Sequence, residues 1–280
     1  MSFDPLYVEA RKILLDALVA LAPHGKAVIV VGAQAVYLRT NETELAVAPY
    51  TTDGDLALDP SLLGDHPELE KAMGDAGFRL QPQAGGNIAP GVWLATVEVD
   101  GQTHDVPVDL IVPEGAATSG GRRGARLGAH GNRAARRAVG LEATLVDHSR
   151  VLITALDPTD RRSIEAEVAG PEALFVAKAH KLNDRIASRK TSRIDDKDAA
   201  DVVRLMQSVP APEVRNTLNA LANDPMAGET VRDGIVYLRD LFARRRRPGI
   251  EMAARAMRVA MDASTVEVIC TAYMAQLDES

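Results

Sequence analysis

The chain has 280 residues, 46% of them apolar and 25% charged, and a net charge of −7. That is enough apolar material for a substantial core, which excludes a disordered chain, and the length fits one large or two modest domains. A single cysteine excludes a disulfide framework and any zinc site built on several thiolates. Cys270 lies in an apolar, helix-like stretch and reads as a buried small side chain. The first dozen residues carry Asp4 and Glu9 and no apolar run, so no secretory signal is expected. Apolar runs such as Ala27–Val31 are far too short to span a bilayer. The expectation is a cytoplasmic protein without membrane contact.

In chain order, residues 4–22 read as an amphipathic helix, with Leu6, Ile13, Leu14, Ala17, Leu18 and Leu21 near a 3.6 period and Pro23 ending it. Ala27–Val31 is a short buried strand running into Gly32, and 33–39 resumes as a helix. Residues 51–59 alternate as a second strand, and 60–77 read as a helix with Leu62, Leu63, Leu69, Met73 and Ala76 inside. A hairpin follows: 91–100, a turn at Asp100-Gly101, then 103–112. Asp-Gly between alternating runs is a strong turn signal. Residues 113–140 are rich in Gly, Ala and Arg and read as a loop and domain boundary. Residues 141–168 alternate again as short strands, and helices dominate afterwards, over 171–190, 196–208, 211–222, 227–245 and 249–277. No internal repeat is evident. The fold class expected is α+β: a mixed sheet flanked by helices over 1–140, then a mostly helical domain over 141–280.

Charge is unevenly distributed. Residues 1–121 carry 17 acids against 6 bases, and the remainder 26 bases against 22 acids. An acidic half beside a mildly basic one suits metal-holding carboxylates facing an anion-binding surface, or a dimer interface.

The most informative acids are in Thr51-Thr52-Asp53-Gly54-Asp55 and in Val106-Pro107-Val108-Asp109-Leu110. Asp53 and Asp55 are two apart on an expected strand, so both point to one face. Two such carboxylates repel unless a cation lies between them, and Mg²⁺ suits hard oxygen donors combined with substrate phosphates. Asp109 shares its strand face with Pro107 and Ile111, opposite the apolar Val106, Val108, Leu110 and Val112. Gly32 ends a strand and opens a helix, a junction that offers backbone N–H groups to a phosphate and leaves room for it. Each feature alone is commonplace: a solvated Asp-x-Asp strand end, or a turn glycine. Their order along the chain is more specific.

That order resembles the nucleotidyltransferases of the polymerase-beta type over roughly residues 25–113. The resemblance implies two Mg²⁺ ions held by Asp53, Asp55 and Asp109, an NTP substrate, and nucleotide contacts from Gly32, Ala33 and Thr52. Family members usually carry Gly-Gly or Gly-Ser at the junction, where this chain has Gly32-Ala33.

A second constellation runs from Phe175 to Arg185 and from Arg193 to Asp201. Lys178, Lys181 and Arg185 share a helix face at i, i+3 and i+7. Taken alone this is an ordinary solvated charged helix. In context it resembles the C-terminal signature of AbiEii-type toxin nucleotidyltransferases. The resemblance implies that Lys178 or Lys181, with Asp198, joins the carboxylates in catalysis. It also implies an RNA, tRNA or protein acceptor and a cognate antitoxin.

The segment 122–137 carries Arg122, Arg123, Arg126, Arg133, Arg136 and Arg137 without an acid. It reads either as a solvated linker or as an acceptor groove in which Arg133, Arg136 and Arg137 bind phosphates. His130 reads as a loop hydrogen-bonding residue, and Arg244–Arg247 as an exposed helix end. Two other classes stay open: a catalytically degenerate module that binds a nucleotide or a partner, and a small-molecule, antibiotic-type nucleotidyltransferase.

Overall fold

A computed structural model describes residues 3–40, 50–118, 123–188 and 196–279. The fold is α+β, with a mixed eight-stranded sheet flanked by helices and a helical C-terminal region. The chain divides into two compact units. The first comprises Met1–Ala35, Pro49–Ala138 and His148–Ala169, and the second Val36–Ala48, Val139–Asp147 and Gly170–Ser280. The division therefore differs from a single cut at 140. Two strands beyond that point hydrogen-bond into the first unit's sheet, and strands cannot leave their ladder partners without exposing backbone polar groups.

In the first unit, α1 (Pro5–Ala20) starts on Asp4, whose side chain accepts from Leu6 N at 2.9 Å, with Pro5 in the first turn. Its inner face buries Tyr7, Ala10, Leu14, Ala17 and Leu18. The strands are β1 (Val28–Val31), β2 (Gly54–Leu58), β3 (Arg79–Pro82), β4 (Ile88–Val99), β5 (Gln102–Pro113), β6 (Arg136–Ala138), β7 (His148–Thr154) and β8 (Ser163–Ala169). They lie in the order β3-β4-β5-β2-β1-β8-β7, with β6 pairing β5 off that path. The central β1 is buried throughout, which is why it reads as a plain apolar run. β4 and β5 form the expected hairpin, with Asp100 at φ 51° and Gly101 at φ 74° in its turn.

Three expectations change here. The helix over 60–77 contracts to α3 (Leu69–Asp75). The Asp59 side chain ties Ser61 N at 2.8 Å into a local turn, and Pro67 cannot sit inside a helix. β3 has no apolar alternation and is a mostly exposed edge strand, so periodicity could not find it. The loop expected over 113–140 includes β6 and is pinned elsewhere. Gly91 N donates to Arg133 O at 2.8 Å, and Trp93 Nε1 to Ala134 O at 2.9 Å. Gly91 must be glycine: at φ 73°, a Cβ would fall 2.6 Å from Leu110 O and closer still to Arg136 N. Arg122 lies outside the described residues.

The second unit includes α4 (Pro171–Ala187), α5 (Lys197–Ser208), α6 (Ala211–Leu221), α7 (Gly228–Phe242), α8 (Pro248–Met257) and α9 (Ala263–Leu277). α4 packs on α5 and α7, and α5 packs on α8. The single helical stretch expected over 249–277 divides because Asp262 caps a new helix, accepting from Thr265 N at 2.9 Å. Cys270 is buried as expected, and burial pushes its thiol up to about 12. No helix among the described residues is long and apolar enough to cross a membrane.

Candidate functional site

The sheet register brings two of the three expected carboxylates side by side. β2 runs parallel to β5 with Asp55 opposite Asp109, and antiparallel to β1 with Asp55 opposite Val31. Residues paired in register present their side chains on the same face. Asp53 precedes β2 by one residue and is half-buried. Its carboxylate accepts from the Thr51 hydroxyl, while Thr52 lies half-buried beside it.

Gly32 and Ala33 open an eight-residue helix, α2 (Gly32–Arg39). Gly32 has φ 72°, and a Cβ there would lie 2.8 Å from Asp55 Cγ and nearer still to Oδ2. The helix start thus presses directly on the Asp55 carboxylate, an approach only glycine allows. The free N–H groups of a helix's first turn also favour an anion.

A buried support beneath this site was not expected from the sequence. Gln34, 1% exposed, donates from Nε2 to the carbonyls of Asp53 and Ala10, both at 3.1 Å. Its Oε1 accepts from Arg11 Nε at 2.8 Å. Arg11, also 1% exposed, donates to Tyr7 Oη at 3.0 Å and to Thr154 O at 3.2 Å. The one sequence signal was a charged residue on the apolar stripe of α1, and solvation of an arginine head is the commoner reason for that.

The three arginines expected in an acceptor groove are each paired with an acid. Arg133 meets Glu70 at 2.5 Å, Arg136 meets Asp109 at 2.7 Å, and Arg137 Nε donates to Glu114 at 3.0 Å. Hydrogen bonding to Glu70 and its charge raise the Arg133 guanidinium's affinity for its proton. His130 acts as a loop fastener: Nδ1 accepts from Leu69 N at 3.1 Å, and Nε2 donates to Gly64 O at 2.9 Å. Its ring packs edge-on against His24 at 5.4 Å.

In the second unit, Lys178 on α4 is 3% exposed, and its Nζ lies 2.6 Å from both Asp198 and Asp201 on α5. Burial works against its charge, but the two carboxylates outweigh it and hold Lys178 well above the ordinary lysine range. Asp198 is likewise opposed by burial, yet Lys178, Lys181 and Arg185 drive it below the usual carboxylate range. Asp201 is pushed up, mainly by burial. Lys181 is different: its side chain is 44% exposed and touches Asp198 only at 3.2 Å. Sequence reasoning could not separate the two lysines, because one helix face holds both. Arg193 and Asp195 lie outside the described residues.

The donor chemistry of Asp55 and Asp109 fits magnesium, which is often held by one or two carboxylates with substrate phosphates and water completing its shell. No group of three His, Cys, Asp or Glu side chains able to hold a metal occurs among the described residues. Asp53, Asp55 and Asp109 are thus not gathered into one such group, and the register pairs only Asp55 with Asp109. No family model matches this chain, and no curated protein matches it.

Proposed function

We propose that this protein is a magnesium-dependent nucleotidyltransferase that transfers NMP from an NTP to an acceptor and releases pyrophosphate. One observation carries the reading: Asp55 and Asp109 stand at one register on adjacent parallel strands, against the glycine that opens α2. Asp55 and Asp109, with Asp53, would hold the cation through hard anionic oxygens. A bound Mg²⁺ supplies stabilisation of the attacking and leaving oxygens. The first-turn amides of α2 seat phosphate oxygens beside the Asp55 carboxylate, which fills the space that a side chain at Gly32 would take. Asp109 accepts the proton of the acceptor hydroxyl as its oxygen bonds to the α-phosphorus. The bond from that phosphorus to the bridging oxygen breaks, and the electron pair leaves with pyrophosphate. Of the two lysines that the resemblance implies, the Lys178 ammonium is enclosed by two carboxylates and Lys181 is the more exposed.

The acceptor is proposed to be RNA, tRNA or protein, with an antitoxin as partner, on the resemblance alone. A non-catalytic nucleotide- or partner-binding module is a second reading, favoured by the Asp109–Arg136 pair, which already neutralises one carboxylate. The deciding experiment incubates the full chain with each NTP, labelled at the α-phosphate, plus Mg²⁺ and total RNA, cell protein or aminoglycosides. Label should appear in one acceptor class and vanish with Asp55→Asn. A folded protein that binds NTP yet labels nothing would end the transferase reading in favour of the binding module.

A further inference from the structure

We propose that Arg136 is a built-in counter-cation of the Asp55–Asp109 pair: it holds the two carboxylates together without a metal and weakens their affinity for one. This rests on the reading of that pair as a cation site. Two carboxylates at one register on neighbouring strands repel each other, so the metal-free sheet needs a positive charge nearby. β6 supplies it. Arg136 pairs with Ile111 across the β5–β6 ladder, two residues from Asp109 and so on the same face.

Its Nε and Nη2 both donate to Asp109 Oδ2, at 3.0 and 2.7 Å. Asp109 Oδ1 accepts no hydrogen bond from the described residues, so the guanidinium engages one oxygen and leaves the other. The backbone that aims this arginine is tightly held. A side chain at Gly91 would strike Arg136 N, and Ala125 N donates to Ala135 O at 2.9 Å. The pair is still exchangeable: the Arg136 and Asp109 side chains are 32% and 20% exposed, whereas Lys178 and its partners are sealed at 4% and 5%.

A fixed positive charge beside a cation site stabilises the metal-free state and repels the incoming ion. Removing it should therefore tighten cation binding, which loss of a merely structural residue would not do. Mn²⁺ serves as the probe, because it accepts the same oxygen ligands and reports by electron paramagnetic resonance. Full-length wild type, Arg136→Gln, Arg136→Lys and Asp55→Asn are titrated with Mn²⁺, and their melting temperatures are taken with and without it.

Arg136→Gln should bind Mn²⁺ about fivefold more tightly, the factor matching a part-exposed ion pair. It should melt lower than wild type without metal, with the gap closing when Mn²⁺ is present. Arg136→Lys, which keeps the charge, should stay near wild type. Folding of Arg136→Gln only in the presence of Mn²⁺ is the same linkage in a stronger form and supports the proposal. Unchanged or weaker Mn²⁺ binding by Arg136→Gln, or an equal melting loss with and without Mn²⁺, would overturn it while leaving the transferase reading standing. Equal Mn²⁺ affinity for wild type and Asp55→Asn would remove the cation site, and both proposals with it.

Discussion

Gly32→Ala is the sharpest perturbation of the proposed site, because two separable penalties meet there. The first is backbone strain: at φ 72° a residue with a Cβ costs about 1–2 kcal/mol. The second is collision. The new methyl would lie 2.8 Å from Asp55 Cγ and 2.9 Å from Asp55 Cβ. Rotating the carboxylate cannot relieve contact with Cβ, so β1 and β2 must part slightly, at about 1–3 kcal/mol by analogy with overpacked cores. The expected total is about 2–5 kcal/mol, a large share of a typical stability of about 5–15 kcal/mol. Gly77→Ala is the control: its φ is 87°, but nothing lies within 4 Å of the added carbon. It should lose only the strain component. Urea unfolding of both variants gives the difference, and Mn²⁺ titration reports whether Asp55 has moved. A Gly32→Ala protein as stable as Gly77→Ala, with wild-type Mn²⁺ affinity, would refute the close approach on which the site is built.

Other variants test the supports. Lys178→Met leaves buried Asp201 without its cation, Asp198 keeping Lys181 and Arg185, and should cost about 3–5 kcal/mol, whereas Lys181→Met should cost under about 1 kcal/mol; equal losses in denaturant unfolding would erase the distinction between them. Gln34→Leu strips partners from the Asp53 and Ala10 carbonyls, at about 1–3 kcal/mol per buried group left unmade, and should also weaken Mn²⁺ binding. Burial first, and the charge of His130 second, hold His24 below its ordinary 6.5. The unfolded chain therefore takes up the proton first, so stability is complete above about pH 6.5 and declines as pH falls below it. Unfolding measured between about pH 7 and 5 should show that decline, and His24→Gln should flatten it.

Where periodicity and turn chemistry act locally, the sequence was readable. The α1 stripe, the buried run of β1 and the Asp100-Gly101 hairpin all follow from nearest-neighbour physics. β6 and β3 were not readable, because they are strands only by virtue of partners far along the chain. The same limit applies to the site. Asp53, Asp55 and Asp109 stood out as charges on strands, but Asp55 facing Asp109 is a property of register, and register belongs to the assembled sheet. Gln34 was invisible for a related reason: a glutamine in a short helix carries no sign that its amide will hold a distant carbonyl.

Charge, like register, depends on what the fold brings together. Read linearly, 122–137 is a cationic run without acids, open to reading as a solvated linker or as a phosphate groove. Folding brings Glu70, Asp109 and Glu114 from elsewhere in the first unit onto Arg133, Arg136 and Arg137. A phosphate seeking these guanidinium groups must displace a carboxylate from each, so little net counterion release remains. Were all three to contact phosphates of a single-stranded acceptor, replacing them with Gln would flatten the log K versus log salt slope by about 2. Because each is already neutralised, the triple variant should instead keep the wild-type slope to within about 0.5. Filter binding of labelled RNA to wild type and triple variant across a salt series measures this directly. A flattening near 2 would mean that the guanidinium groups exchange carboxylates for phosphates on binding, and it would put the acceptor back on this face. An unchanged slope would place any RNA contact on other residues, leaving Arg136 to its pairing with Asp109.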